Sequence, residues 1–170
     1  MPLQNIIKSS KAVIIWILSL MTIHLANAQD TNELVEDRFA ISELVADYAY
    51  RWDRKDAVSF SKLFAPNASI DWVIGGKKVE QQVVGRDSIV LYARKAFAER
   101  IGEKRSRHHF SNLVFKELSS DKSTTEHMVL VTHLSPGETA ELVTTGYYTI
   151  EWEKMDSQWN IAKRTLYVDR

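Results

Sequence analysis

HHFSNLVFKEL, residues 108–118, is where the chain changes its period. Before it, apolar residues recur at helical steps; from it onward they alternate. His108–Leu118, Thr124–Leu134, Glu141–Trp152 and Trp159–Val168 read as four long strands. Their connectors are Ser119-Ser120-Asp121-Lys122, Ser135-Pro136-Gly137 and Met155-Asp156-Ser157, all of turn composition. Upstream, Leu34, Ile41, Leu44, Val45, Tyr48 and Trp52 form the stripe of an amphipathic helix over Asn32–Asp53. A short helical piece, Ser59–Phe64, ends before Pro66. Ala68–Trp72 and Lys77–Val84 read as strands turned at Gly75-Gly76, and Asp87–Ile101 as a second long helix capped by Asp87 or Ser88 and stopped at Gly102. Helices first and a long meander afterwards predict an α+β domain: a cone-shaped, curved antiparallel sheet packed against N-terminal helices.

The first 28 residues have a different character. Lys8 and Lys11 precede an apolar stretch beginning at Ala12, and Ala26-Asn27-Ala28 offers small residues for a signal peptidase. The stretch is shorter than the ~20 residues a bilayer core needs, so a cleaved secretory signal over 1–28 is expected rather than an anchor. One domain, 29–170, follows. The whole chain carries 22 basic and 22 acidic residues. The signal holds two of the basic ones, so the exported domain has formal charge −2. Its one basic cluster, Arg100, Lys104, Arg105 and Arg107, is interrupted by Glu99 and Glu103. A nucleic-acid partner is therefore not expected, since phosphate binding needs a concentrated basic face. Cysteine is absent, which removes disulfides and thiolate catalysis. Asn67-Ala68-Ser69 is a glycosylation sequon that matters only in a eukaryotic host.

Chemistry concentrates in two places. The four histidines of the exported domain lie on neighbouring strands, His108 and His109 on one, His127 and His133 on the next. Alternation puts His109 on one face with Ser111 and Leu113, and His108 on the other with Phe110 and Asn112, so the adjacent pair cannot serve one site. His127 and His133 share a face about 20 Å apart, with His133 expected near solvent. Asp53 follows Trp52 at the helix end. Turned inward among apolar walls, its carboxylate needs a hydrogen-bonded partner, and an imidazole so held becomes a base able to remove a proton beside a carbonyl. The bland alternatives are a solvent ion pair of Asp53 with Arg51 or Arg54 and a core histidine satisfied by a carbonyl. Asp53, His109 and His127 also have the ligand types of a metal triad, but no helical ligand spacing accompanies them, and no metal is expected.

Three segments carry a resemblance: Arg51-Trp52-Asp53-Arg54-Lys55-Asp56, Arg107-His108-His109-Phe110-Ser111-Asn112, and Gly146-Tyr147-Tyr148 with Trp159-Asn160-Ile161-Ala162-Lys163-Arg164. Together they resemble the SnoaL-like group of the nuclear-transport-factor-two-like fold. Within that group, similarity to the scytalone dehydratases implies Asp53, His109 and His127 as catalytic residues, and similarity to the hexachlorocyclohexane dehydrochlorinases implies a role for Arg164. Trp52 and Trp72 stand where dehydratase tyrosines are expected, and Tyr147 and Thr149 where a Ser and an Asn are. Substrate contacts are thus expected from Tyr48, Trp52, Trp72, Tyr147, Thr149 and Arg164, with Tyr48 or Tyr147 polarising a carbonyl. The resemblance implies a cofactor-free, dehydratase-like lyase acting on a small hydrophobic molecule. An isomerase, cyclase, epoxide hydrolase or non-catalytic binding scaffold are the alternatives. A homo-dimer or homo-trimer, exported to the periplasm or secreted, is expected, with no membrane attachment after cleavage.

Overall fold

The computed structural model describes residues 32–169. The expected signal segment, 1–28, lies outside them. Contacts divide the chain between Glu36 and Asp37. Residues 32–36 are helical and exposed; the body described below begins at Asp37. Among the described residues no helix is long and apolar enough to cross a membrane.

Helix α1, residues 32–53, buries Ile41, Val45, Tyr48 and Trp52, spaced four, three and four apart as a single helical face requires. Its end is decided by backbone hydrogen bonds. Asp56 N–H donates to the Arg51 carbonyl (3.1 Å) and Lys55 N–H to that of Trp52 (2.8 Å). With Lys55 at φ 59° this is a Schellman stop. Asp56 then caps the next helix, α2 (Ala57–Ser61), by accepting from Ser59 N–H at 3.0 Å. Two tight features in succession hold the end of α1, and with it Asp53, in one place.

Strand β1 (Phe64–Ile74) tolerates Pro66 because its pairing is irregular between Phe64 and Ser69. Two short pieces, β2 (Lys77–Lys78) and β3 (Val83–Val84), stand where one returning strand was expected. Helix α3 (Arg86–Lys95) starts from Gly85 without a side-chain cap, and passes into a π-helical turn, Ala96–Ile101, that ends at Gly102. Strands β4 (Arg105–Leu118), β5 (Lys122–Leu134), β6 (Glu141–Met155) and β7 (Gln158–Val168) complete the chain. The fold is α+β, with a sheet in the order β2-β1-β7-β6-β5-β4 and β3 paired to β1. One pairing, β1 with β7, is parallel, so the sheet is mixed. Register shifts occur in the β1–β7, β4–β5, β5–β6 and β6–β7 pairings, and such bulges bend a sheet and raise its twist.

The core lies between α1, α2, α3 and the inner face of the sheet, with Phe60, Phe64, Ile70, Ile150 and Ile161 fully buried. Asp37 is buried on α1, where it accepts from Trp159 Nε1 (2.8 Å) and pairs with Lys154 Nζ (2.6 Å), tying the helix to β6 and β7. Gly146 marks the tightest approach in the sheet. A Cβ built there would lie 1.9 Å from the Tyr167 carbonyl oxygen, which is backbone and cannot swing aside. Gly146→Ala is accordingly expected to cost about 2 kcal/mol or more, read as a lower urea midpoint at unchanged m-value; a midpoint equal to wild type would refute this packing constraint.

Candidate active site

The end of α1 delivers Asp53 to β4, where it is held twice by a single residue. Asp53 Oδ1 lies 2.7 Å from His108 Nδ1, and Asp53 Oδ2 accepts from the His108 backbone N–H at 2.8 Å. Both side chains are largely buried. A carboxylate on Nδ1 fixes the proton there and leaves the Nε2 lone pair as the basic site.

The expected partner, His109, is not in this pair. It is exposed on the outer face, with Nε2 3.2 Å from Thr132 Oγ1. The physical reason is a β-bulge. Between Ser111 and Val114 the β4 strand advances three residues while β5 advances two, and Asn112 takes φ 56°. The extra residue inverts the alternation: Leu113 and Phe115 face inward after the bulge, whereas Ser106, His108 and Phe110 do so before it. Arg105 and Arg107 share the phase of His109, and two charged residues on that face were the signal that it is the outer one.

Beside the dyad lies a cavity of about 200 Å³. Of the expected substrate contacts, Tyr48, Trp52, Trp72 and Arg164 line it. Tyr147 and Thr149 do not. Tyr147 stacks on Tyr167 with centroids 4.5 Å apart, and the inward residues of this stretch are Tyr148, Ile150 and Trp152. The apolar alternation Tyr148-Ile150-Trp152 against Thr149-Glu151-Glu153 carried that information. Trp152 does not plug the cavity; its indole N–H donates to Thr125 Oγ1 at 2.8 Å within the core. Among the wall residues that sequence reasoning missed are Tyr148, Tyr92, Ser106 and His133. His133, expected near solvent, is half-buried, and burial is the first cause of its lowered pKa.

His127 is on the inner side yet absent from the cavity lining. It is 1 % exposed, packed against Phe110 (4.5 Å) and Tyr148 (5.5 Å), and neither ring nitrogen has a hydrogen-bond partner. Burial lowers its pKa from 6.5 to about 4, so the ring is neutral at pH 7.

The wall is a closed circuit of contacts. From His108 it runs to Trp52 (6.2 Å), Tyr92 (5.9 Å), Trp72 (5.4 Å) and Arg164 (5.3 Å), then returns through Tyr148 (5.1 Å) and Phe110 (5.7 Å) to His108 (5.8 Å). Tyr48 packs inside it against Phe110 and Tyr148. Burial raises the pKa of Tyr48 and of Tyr148, keeping both phenols protonated near neutrality.

The match to known proteins follows the same elements. Residues 33–165 match the family model of the SnoaL-like domain. The chain belongs to the SnoaL-like family. No curated protein matches it. Among solved structures it is similar to a Mycobacterium tuberculosis protein of unknown function, at 24% identity and TM-score 0.69 over 82% of this chain and 76% of that one. It is also similar to a provisionally named scytalone dehydratase from Novosphingobium aromaticivorans, at 22% identity and TM-score 0.68 over 82% and 89%. A third, an NTF2-like protein with a cystatin-like fold from the same organism, matches at 19% identity and TM-score 0.72 over 85% and 89%. At these identities the likeness establishes the fold.

The His127 environment sets a pH dependence. The unfolded chain takes up a proton near pH 6.5 and the folded one only near pH 4, so between these values the unfolded state binds more protons and stability falls as pH falls. The loss from this one ring is about 3 kcal/mol across that window. Urea unfolding at pH 7.5 and 4.5 should show it, and His127→Phe should remove most of the difference between the two pH values. An unaltered difference would mean another group governs the acid side.

Proposed function

We propose that this SnoaL-like domain is a dehydratase-like lyase whose base is His108, oriented by Asp53, acting on a small organic substrate in the aromatic cavity. The observation that carries the reading is the double hold of Asp53 on His108, which spends Nδ1 and presents Nε2. In the reaction, Nε2 takes a proton from the carbon beside a carbonyl, and the electron pair of that C–H bond passes into an enolate. The protonated phenols of Tyr48 and Tyr148 stabilise the oxyanion. As the enolate collapses, the bond from the β-carbon to its hydroxyl breaks. The departing oxygen takes the proton from the imidazolium, giving an alkene and water and restoring the neutral ring. His127, neutral at pH 7 and behind Phe110 and Tyr148, is left out of this cycle.

The test uses β-hydroxy-ketones and β-hydroxy-acyl compounds, followed by mass spectrometry for loss of water and, in deuterium oxide, for exchange at the α-carbon. His108→Ala and Asp53→Asn should each reduce turnover by ~10² or more, with the double variant little worse, because the two act as a unit. His109→Ala should stay within about twofold of wild type. Additive losses at Asp53 and His108, or a His109 effect as large as theirs, would defeat the assignment.

We further infer export, with the signal removed after Ala28, and self-association as a dimer or trimer through the outer sheet face, where Met128, Leu130 and Leu142 are exposed. Native mass spectrometry of protein recovered outside the cytoplasm reads both: a subunit beginning at Gln29, and a particle of two or three subunits. An intact leader, or a monomer at micromolar concentration, would contradict the corresponding half.

A further inference from the structure

Arg164 is a full positive charge placed where a charge is costly. It is 2 % exposed, and its guanidinium lies over the rings of Trp72 and Tyr148. Among the described residues its guanidinium makes one long hydrogen bond to backbone, Nη1 to the Asp71 carbonyl at 3.4 Å, has the neutral Tyr48 hydroxyl nearby, and leaves Nε without a partner. No carboxylate among the described residues lies within ion-pair distance of it. Asp53, the carboxylate beside the same cavity, is already committed to His108. Burying a guanidinium without a counter-charge costs several kcal/mol, and guanidinium stays protonated at any pH the fold survives, so it cannot escape by losing its proton. Aromatic faces offset part of that cost; an anion would offset far more.

Position adds the second half of the argument. In the circuit of contacts Arg164 is four steps from His108 one way and three the other, so the two line the cavity without being neighbours. Much of the lining is rings, with Ile101, Val131, Val143 and Leu166 as its aliphatic members. A space of about 200 Å³ holds roughly ten non-hydrogen atoms.

From this placement, and resting on the reading of Asp53 and His108 as the reacting end, we propose that the cavity takes a carboxylate with a flat aromatic or conjugated segment, the carboxylate on Arg164 and the saturated reacting carbon at His108. The fork of the guanidinium supplies the geometry a carboxylate needs. The aromatic walls select flatness. Arg100 also lines the cavity but is exposed, and donates to Tyr92 Oη at 3.0 Å, so water screens its charge where that of Arg164 is buried.

Calorimetric titration in chloride-free buffer at pH 7 tests the proposal without turnover. The probes are cinnamate, 4-hydroxybenzoate and phenylpyruvate, each against its primary amide. At least one acid should bind at least about tenfold more tightly than its amide, the margin expected of charge-assisted hydrogen bonds. Arg164→Met should bring that preference to about one and Arg164→Lys should weaken it, while Arg100→Gln and His108→Ala should retain it. Should Arg164→Met fail to fold, the wild-type comparison and the Lys variant still decide. Absence of any acid-over-amide preference in the wild-type protein overturns the proposal, as does a preference abolished by Arg100→Gln and kept in the Arg164 variants. The two readings fail separately. Preference without loss of turnover in His108→Ala sinks the dyad and spares the subsite; loss of turnover in His108→Ala without acid preference does the reverse.

Discussion

The site depends on one carboxylate joining a helix end to a strand. Asp53 accepts from the His108 backbone and holds the His108 ring, so the same residue that anchors α1 to β4 sets the imidazole's tautomer and direction. Either bond alone would leave a degree of freedom: a ring bond without the backbone bond lets the carboxylate rotate, and a backbone bond without the ring bond leaves the imidazole free to flip. Helix α1 can bring its last turn to that point because the Schellman stop at Lys55 and the Asp56 cap of α2 follow immediately. Chain entropy that would otherwise blur the geometry is removed by backbone hydrogen bonds outside the cavity.

Around this joint rings outnumber aliphatic side chains in the cavity lining, where Ile101, Val131, Val143 and Leu166 are the aliphatic members. Aromatic edges and faces tolerate a guanidinium and a polar ligand better than Leu or Ile would, because their quadrupoles interact with charge. Burial sorts the titratable groups into roles by their surroundings. His127, enclosed and unpartnered, is held neutral by desolvation, and the two phenols are held protonated by the same cause. His108 is the imidazole that meets a carboxylate and lines the cavity. Four histidines close together in sequence thus occupy four different environments: dyad, outer face, core and cavity wall.

Much was legible before any coordinates. The amphipathic stripe of α1 and the change of period near residue 108 follow from spacing and residue type, while Asp53, Trp52, Trp72 and Arg164 were singled out by the resemblance to the family. The errors share one form. At His108-His109 and at Tyr147-Tyr148 two like residues are adjacent on a strand, and opposite faces are one residue apart. Family resemblance cannot separate neighbours of the same type, and alternation counted from Leu113 passes through the bulge at Asn112 without registering it.

Sequence by itself determined the elements, their order, the absence of thiol chemistry, and the kinds of side chain available to an acid–base site, because local periodicity and composition are properties of neighbouring residues. Tertiary structure decided which histidine meets Asp53, which tyrosine faces inward, that His127 is sealed from the cavity, and that Arg164 stands in it with no counter-charge among the described residues. Those outcomes depend on a single inserted residue in β4 and on contacts between segments as far apart as α1 and β7. Residue patterns hint at some of these facings, but where a bulge falls is set by the pairing of two strands rather than by the residues of one.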